Sequence, residues 1–241
     1  MSNGTAAVFL VSLLVLAGCD VEAPSPPARI AGTPTAGGSP GVRQQVDPAR
    51  NRVWLLTEQG VFFREATGGR TAVALPGWQW AGTQFACLPD LTLGPKGEAL
   101  ITSNVVPTLW KVDPDSLAVS VHPLALDSDL DRDVGFTALT YLPESREFFA
   151  ASGLHGSLWR IDPLLRRAQK IPLSGAIANA CELGLRPNVG GRKTHRLAGL
   201  CAFSAQEAWV IDLAPDRRSA YVRAASWSDC PGLLNDVAAG T

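Results

Sequence analysis

The densest group of chemically competent side chains is a run of alternating aspartates. Its members are Asp127, Asp129, Asp131 and Asp133. Carboxylates at every second position of a loop can wrap a hard cation such as Ca²⁺, which takes roughly six to eight oxygen ligands. The run therefore predicts a calcium site. The alternative is a solvated connection between two structural units, in which the charges serve only to keep the loop in water.

Cysteines form the second group. There are five, and they are Cys19, Cys87, Cys181, Cys201 and Cys230. Cys19 ends an apolar leader, which leaves an even number, as is typical of a disulfide framework in an oxidising compartment. Two disulfides are predicted, with three possible connectivities. A metal or redox site is the alternative, but the sequence has no Cys-x-x-Cys pair and no histidine at a ligand spacing from these cysteines.

Residues for other kinds of chemistry are sparse. His122, His155 and His195 are far apart in the sequence, and it has no Gly-x-Ser-x-Gly element and no phosphate-binding or dinucleotide-binding glycine pattern. The formal net charge is −1, from 21 basic and 22 acidic residues. This balance argues against nucleic acid as a partner. The spacing of the residues predicts no catalytic residue.

A repeated hexapeptide organises the rest of the chain. The segment Leu109–Pro114 recurs as Leu158–Pro163, and a weaker copy follows at Ala208–Asp212. A period of about 50 residues indicates stacked supersecondary units. Short strands bounded by Gly, Pro, Asp and Ser predict an all-β fold of four units with four antiparallel strands each. The alternative is a single sandwich whose tryptophans coincide by chance. Turn prolines mark the four units at Pro48, Pro95, Pro143 and Pro187.

With Leu-Trp-x-Val/Ile-Asp-Pro at the third strand, the chain resembles the β-propeller superfamily, in its NHL and SMP-30 style of blade. The resemblance covers roughly residues 41–225. It implies a β-propeller-like domain. Propellers with this style of blade usually have six or more blades, whereas the repeat in this chain gives about four. The ring is therefore a small closed one, an open arc, or half of an assembly completed by a second copy. Enzymes of the SMP-30 type hold a metal in the central channel, and this analogy implies a ligand set of Asp90, Asn104, Asn179 and Glu182.

The repeat also suggests how the cysteines pair. Cys181 precedes the first strand of the fourth unit and Cys201 ends its second strand, so a bond between them within one blade is the preferred prediction. Cys87 lies between the first two units and Cys230 follows the last strand. A bond between these two would clasp a closed ring across a long loop. The other two connectivities remain open.

The N-terminus carries a targeting pattern. Residues 6–17 are an apolar run of twelve, shorter than the roughly 20 residues that span a bilayer and typical of a signal-peptide core. The run ends in Leu16-Ala17-Gly18-Cys19, which resembles the lipobox of bacterial lipoproteins. The resemblance implies a signal peptide over 1–18 and fatty acylation of Cys19. An ordinary signal peptide with an incidental cysteine is the alternative. Met1–Val8 contains no Lys or Arg, which departs from the positively charged start that a signal peptide usually has.

Residues 19–40 are rich in Pro, Gly, Ser and Thr, a composition that predicts a disordered tether rather than a packed element. The propeller-like domain is predicted over 41–241. Together these features predict a lipoprotein of the bacterial envelope, anchored to a membrane and facing the periplasm or the exterior. Its expected role is a non-catalytic binding or assembly module for an envelope protein complex, with no cofactor other than a possible Ca²⁺. The alternative is a metal-dependent hydrolase or lactonase of the propeller type.

Overall fold

Four antiparallel sheets, each forming one blade, make up the domain. The computed structural model describes residues 43–65, 68–82, 87–127, 135–186, 199–204 and 206–230. The prediction of an all-β, four-bladed β-propeller is confirmed. Over those ranges, the one helical element is a single 3₁₀ turn at Trp227–Asp229. The same ranges hold no helix with the length and apolarity needed to cross a bilayer.

The blades follow one another along the chain, and in each one consecutive strands pair as antiparallel neighbours. Blade 1 contains β1 (Arg43–Asp47), β2 (Arg52–Thr57), β3 (Gly60–Glu65) and β4 (Arg70–Val73). Blade 2 contains β5 (Leu91–Leu93), β6 (Ala99–Ile101), β7 (Thr108–Val112) and β8 (Val119–Pro123). After the short strand β9 (Ala125–Leu126), blade 3 contains β10 (Ala138–Leu142), β11 (Glu147–Ser152), β12 (Ser157–Ile161) and β13 (Arg167–Ile171). Blade 4 contains β14 (Glu182–Leu185), β15 (Gly199–Phe203), β16 (Ala208–Leu213) and β17 (Ala220–Ala225).

The repeated tryptophan fills the space between neighbouring blades. It lies on the third strand of blades 2, 3 and 4 and is at most 7% exposed at Trp110, Trp159 and Trp209. Trp110 packs in the apolar core between blades 1 and 2, Trp159 in the core between blades 2 and 3, and Trp209 in the core between blades 3 and 4. Each indole buries a large apolar area at the equivalent position between two neighbouring blades. The periodic tryptophan therefore fixes how successive blades stack.

The Asp-Pro pair that closes the hexapeptide forms the turn to the fourth strand. The carboxylate of Asp113 accepts hydrogen bonds from the backbone N–H groups of Asp115 and Ser116, at 3.1 and 2.8 Å. The carboxylate of Asp162 accepts in the same way from Leu164, at 2.8 Å. Aspartate favours such turns because its side chain bonds the backbone just ahead of it. The tryptophan of the hexapeptide therefore packs between blades, and its Asp-Pro pair ends the third strand.

Blade 3 has a fifth strand that the repeat did not predict. Strand β9 comes from the link after blade 2 and pairs in parallel with the first two residues of β13, with Ala125 opposite Arg167. Next along the chain, the carboxylate of Asp127 accepts the backbone N–H of Lys170 at 2.8 Å. Capping an outer edge in this way reduces the unpaired backbone that an edge strand exposes.

The seam between blade 4 and blade 1 differs from the other three. Apolar cores join blades 1 and 2, 2 and 3, and 3 and 4. Within the described ranges, the face of blade 4 that is turned away from blade 3 instead packs Cys201, Phe203 and Val210 against Cys230 of the C-terminal segment. Among the described residues, Arg43 of blade 1 reaches blade 4 through polar contacts with Glu182 and Cys181.

Candidate functional site

The first strands of the four blades meet at a cluster of charged groups, which we call the hub. Strands β1, β5, β10 and β14 contact one another in that order. The hub comprises the side chains of Arg43, Asp90 and Glu182, the N–H of Leu139 and the carbonyl of Cys181. Each blade supplies at least one of these groups. Arg43 and Glu182 begin the first strands of their blades, Asp90 and Cys181 directly precede them, and Leu139 is the second residue of β10.

Arg43 is the central residue of the hub. Its Nε lies 3.0 Å from Oδ1 of Asp90, and its Nη1 lies 3.0 Å from Oε1 of Glu182. Its Nη2 donates to the carbonyl oxygen of Cys181. The planar fork of a guanidinium can serve several acceptors in fixed directions, which a lysine cannot do. A single side chain from blade 1 therefore holds blades 2 and 4 together.

Asp90 completes the connection to blade 3. Its Oδ2 accepts the backbone N–H of Leu139 at 2.7 Å, and its Oδ1 also accepts the N–H of Leu91 at 2.8 Å. Its own backbone N–H donates to Thr102 Oγ1 at 2.7 Å. The side chain of Asp90 is 7% exposed, so these bonds form in a poorly solvated place, where an unsatisfied polar group would be costly.

Burial dominates the ionisation of Asp90. Desolvation raises the pKa of this carboxyl to about 6. The positive charge of Arg43 and the N–H donors of Leu139 and Leu91 oppose the rise, and the negative charge of Glu182 adds to it. Even with a guanidinium at 3.0 Å, the cost of removing the carboxylate from water is the larger effect, as is common for buried ion pairs.

This shift predicts how stability depends on pH. Because the pKa of Asp90 is higher in the folded state than in the unfolded chain, its contribution to the free energy of unfolding is fully present below about pH 4 and is lost as the pH rises through about 6. The loss amounts to roughly 3 kcal/mol. Urea unfolding of the native protein and of the Asp90→Asn variant across this range measures it. We expect the variant to gain stability relative to the native protein as the pH rises, and a difference independent of pH would contradict the assignment.

Two disulfides form, and their pairing corrects the preferred prediction. The bonds are Cys87–Cys181 and Cys201–Cys230, not Cys181–Cys201 and Cys87–Cys230. The register of blade 4 explains the error, because Cys201 lies opposite Gly184. Cys181 is three residues before Gly184 on the same segment. At a rise of about 3.3 Å per residue, it lies about 10 Å from the position opposite Cys201. Disulfides require Cα atoms within about 7 Å.

Side-chain alternation directs the cysteines to different partners. On β15, Leu200 and Ala202 face blade 3, and Cys201 faces the opposite side, where Cys230 lies. Cys181 directly precedes β14 and meets Cys87, which is three residues before Asp90. The Cys87–Cys181 bond therefore lies beside the hub and links the start of blade 4 to the segment that leads into blade 2. Structural disulfides persist in oxidising compartments, which indicates an envelope or extracellular location.

The four residues implied as metal ligands do not come together. The amide of Asn104 donates to the carbonyls of Ala81 and Cys87, at 2.8 and 3.0 Å, and accepts the N–H of Ala81. Asn179 is exposed and has a positive φ of 58°, so it serves as a turn residue. Asp90 and Glu182 do converge, but on the guanidinium of Arg43, which supplies the positive charge between them. The donor set at the hub therefore does not fit the metal of SMP-30-type enzymes.

The aspartate run falls mostly outside the described residues. Of its members, Asp127 is described, and its carboxylate caps the backbone N–H of Lys170. Within the described ranges, no group of three His, Cys, Asp or Glu side chains is arranged to hold a metal ion. Asp129, Asp131 and Asp133 lie outside those ranges, as do Cys19 and residues 1–40. The calcium site, the lipid attachment and the boundaries of the leader and tether stay predictions.

Sequence reasoning missed Arg43, the residue on which the hub depends. A retrospective clue exists, because charged residues begin or directly precede the first strands of three blades, at Arg43, Asp90 and Glu182. In a ring, such positions are brought together although they are far apart in the sequence. The repeat is defined by its apolar and turn positions, and the charged residues at these points are not part of it.

Known structures share the fold. No protein-family model matches the chain, and no curated protein matches it. A catalytically inactive virginiamycin B lyase from Staphylococcus aureus with quinupristin is similar over 75% of this chain and 53% of its own, with 14% identity and a TM-score of 0.54. An auxiliary nutrient binding protein from Bacteroides thetaiotaomicron is similar over 76% of this chain and 41% of its own, with 13% identity and a TM-score of 0.52.

Hydrazine synthase from Kuenenia stuttgartiensis is also similar, over 82% of this chain and 53% of its own, with 13% identity and a TM-score of 0.52. The neighbours are β-propeller proteins. At such low identity the likeness concerns the fold alone. The chain spans about half the length of these neighbours or less.

Proposed function

We propose that this chain is a lipid-anchored envelope protein whose propeller acts as a non-catalytic binding or assembly module for a protein complex. The observation that carries the proposal is the hub, where Arg43, Asp90 and Glu182 are committed to one another and to backbone groups of neighbouring blades. Polar groups that are satisfied internally hold the blades in place and are not directed at a substrate.

Three further features support this role. Two disulfides stabilise a small domain in an oxidising compartment. The lipobox-like segment ending in Cys19 and the Pro- and Gly-rich residues 19–40 would attach the domain to a membrane by a flexible tether. The hexapeptide resembles the third strand of NHL and SMP-30 blades. A propeller of this kind presents broad loop surfaces to which partners can bind without catalytic groups.

The lipid anchor is tested with the Cys19→Ala variant in the native host. We expect the native chain to incorporate a radiolabelled fatty acid and to sediment with membranes. The variant should lose the label and become soluble, because its hydrophobic anchor is missing. A Cys87→Ala/Cys181→Ala double variant controls for the loss of cysteines as such, and it should keep the label. Labelling of the Cys19→Ala variant, or equal sedimentation of both chains, would contradict the anchor.

The assembly role is tested by crosslinking in intact cells, followed by purification from solubilised membranes. We expect one or a few envelope proteins to copurify at a fixed ratio with the native chain and to be lost with the Cys19→Ala variant, which cannot reach the membrane surface. If the crosslinked native chain is recovered as a single polypeptide, the assembly role is wrong.

A further inference from the structure

We propose that the outer edge of blades 3 and 4 binds a small organic anion, with a phosphate, sulfate or carboxylate at one end and an apolar group at the other. The site consists of two adjoining depressions that share Asp127 and Lys170. It is separate from the hub, and the proposal does not depend on the lipid anchor or on the assembly role.

The first depression is strongly cationic. It has a volume of about 300 Å³ and is lined by Asp127, Arg160, Gln169, Lys170, Arg217 and Arg218. Three arginines and Lys170 line it together with the carboxylate of Asp127, and a second carboxylate, that of Glu147, lies 3.8 Å from two of the arginines. The basic residues come from separate elements, because Arg160 lies on β12, Lys170 on β13, and Arg217 and Arg218 on the turn between β16 and β17. An anion bound among the three arginines would be attracted by their positive charge.

The local structure holds the arginines in position without using up their donors. Arg160 lies opposite Gln169 in the sheet and donates to its side-chain oxygen. The carboxylate oxygens of Glu147 lie 3.8 Å from Nε of Arg160 and 3.8 Å from Nη1 of Arg217. Those separations exceed hydrogen-bonding distance, and Oε2 of Glu147 is buried without a hydrogen-bond partner. Glu147 therefore orients both guanidiniums by charge and leaves N–H groups available to a ligand.

The arginine fork also sets the kind of anion. Guanidinium groups bind the oxygens of phosphate, sulfate and carboxylate through paired, charge-assisted hydrogen bonds. Arg218 lines the depression and is exposed, and no ion pair of Arg218 is found within the described ranges. Arg217 and Arg218 are adjacent in the chain but belong to blade 4, so an anion held by them and by Arg160 would bridge two blades.

The second depression adds an apolar wall. It has a volume of about 570 Å³, within the range of small-molecule sites. Its lining includes the apolar residues Ile171, Pro172, Leu173 and Ala176, next to the polar residues His155 and Ser157. Because the two depressions meet at Asp127 and Lys170, a ligand with its charge among the arginines would extend its other end along this wall. A purely inorganic anion would leave that surface unused.

Isothermal titration calorimetry of the whole domain with hexyl phosphate tests the site, with inorganic phosphate as the second ligand. We expect saturable binding of hexyl phosphate with a Kd of about 1 mM or tighter, and binding of inorganic phosphate at least about tenfold weaker, because the apolar wall contributes only to the former. Equal affinities for the two ligands, or no saturation with hexyl phosphate, would overturn the proposal.

Variants locate the binding. The Arg217→Gln/Arg218→Gln double variant should weaken hexyl phosphate binding by about tenfold or more, because two charge-assisted donors are lost. The Arg64→Gln variant, which alters an exposed arginine of blade 1, should bind like the native protein. Thermal unfolding without ligand shows whether each variant is folded. If the double variant is folded and binds as tightly as the Arg64→Gln variant, the site is not where we infer it.

Discussion

The Arg43→Gln variant is expected to lose about 3–5 kcal/mol of unfolding free energy at neutral pH, the range found when one partner of a buried ion pair is removed. Asp90, with a side chain 7% exposed, would lose the guanidinium at 3.0 Å. At neutral pH it would then either take up a proton, at a cost in free energy, or keep a charge that Glu182 repels across the hub. A loss of this size is a large fraction of the total stability of an ordinary domain, which is roughly 5–15 kcal/mol.

The same variant should become more sensitive to pH. Arg43 lowers the pKa of Asp90 against the effect of burial, so removing it raises that pKa further. The folded variant then holds a proton on Asp90 to higher pH than the native protein does. Its deficit in unfolding free energy should therefore grow as the pH rises from about 5 to 8.

A matched control is available within blade 4. Arg186 lies 3.0 Å from Asp212, but both side chains are partly exposed, at 32% and 26%. The Arg186→Gln variant should therefore lose no more than about 1 kcal/mol. The Arg43→Gln/Asp90→Asn double variant should recover part of the loss, because it removes the buried charge of Asp90 and leaves only the more exposed Glu182 without its guanidinium partner. Equal losses for Arg43→Gln and Arg186→Gln would show that the hub does not stabilise the ring.

Removal of the Cys87–Cys181 bond is expected to have an effect of similar size. The two cysteines are 94 residues apart, and the chain-entropy model gives about 4.7 kcal/mol for closing a loop of that length. The Cys201–Cys230 bond spans 29 residues and should contribute about 3.6 kcal/mol by the same relation. The first bond also holds Cys181, whose carbonyl accepts from Arg43.

Guanidinium unfolding of the Cys87→Ala/Cys181→Ala variant, followed by tryptophan fluorescence, measures this effect. We expect a lower midpoint and a loss of about 4–5 kcal/mol. The Cys201→Ala/Cys230→Ala variant provides the comparison for a shorter loop. A loss below about 1 kcal/mol for the first variant would contradict the expectation that this bond stabilises the domain by closing a long loop in the unfolded chain.

The part of the fold that repeats could be predicted from the sequence. Trp110 and Trp159 mark the third strands of their blades, and the Asp-Pro pairs after them end those strands as expected. These features depend on local turn chemistry and on side-chain periodicity, and both are visible in a single chain. Strand β9 was missed because its parallel pairing with β13 comes from a two-residue segment with no periodic pattern.

The closure of the ring could not be predicted in the same way. Arg43 meets Asp90 across 47 positions and Glu182 across 139, and no local pattern links residues so far apart. The cysteine pairing failed for a related reason. A bond within blade 4 fits the order of the strands, but the register places Gly184, and not Cys181, opposite Cys201. A shift of one residue in strand register changes which residues face each other, and the repeat does not locate the ends of strands with single-residue precision.

The pairing of Cys87 is the most direct test of a ring closed at the hub, because Cys181 can reach Cys87 only if the start of blade 4 lies beside the segment leading into blade 2. Tryptic digestion without reduction, followed by mass spectrometry, reads this pairing. We expect the peptide spanning 71–96 to be joined to the one spanning 171–192, and the peptide spanning 197–217 to the one spanning 224–241. A cross-link between 71–96 and 224–241, or four free thiols, would contradict it.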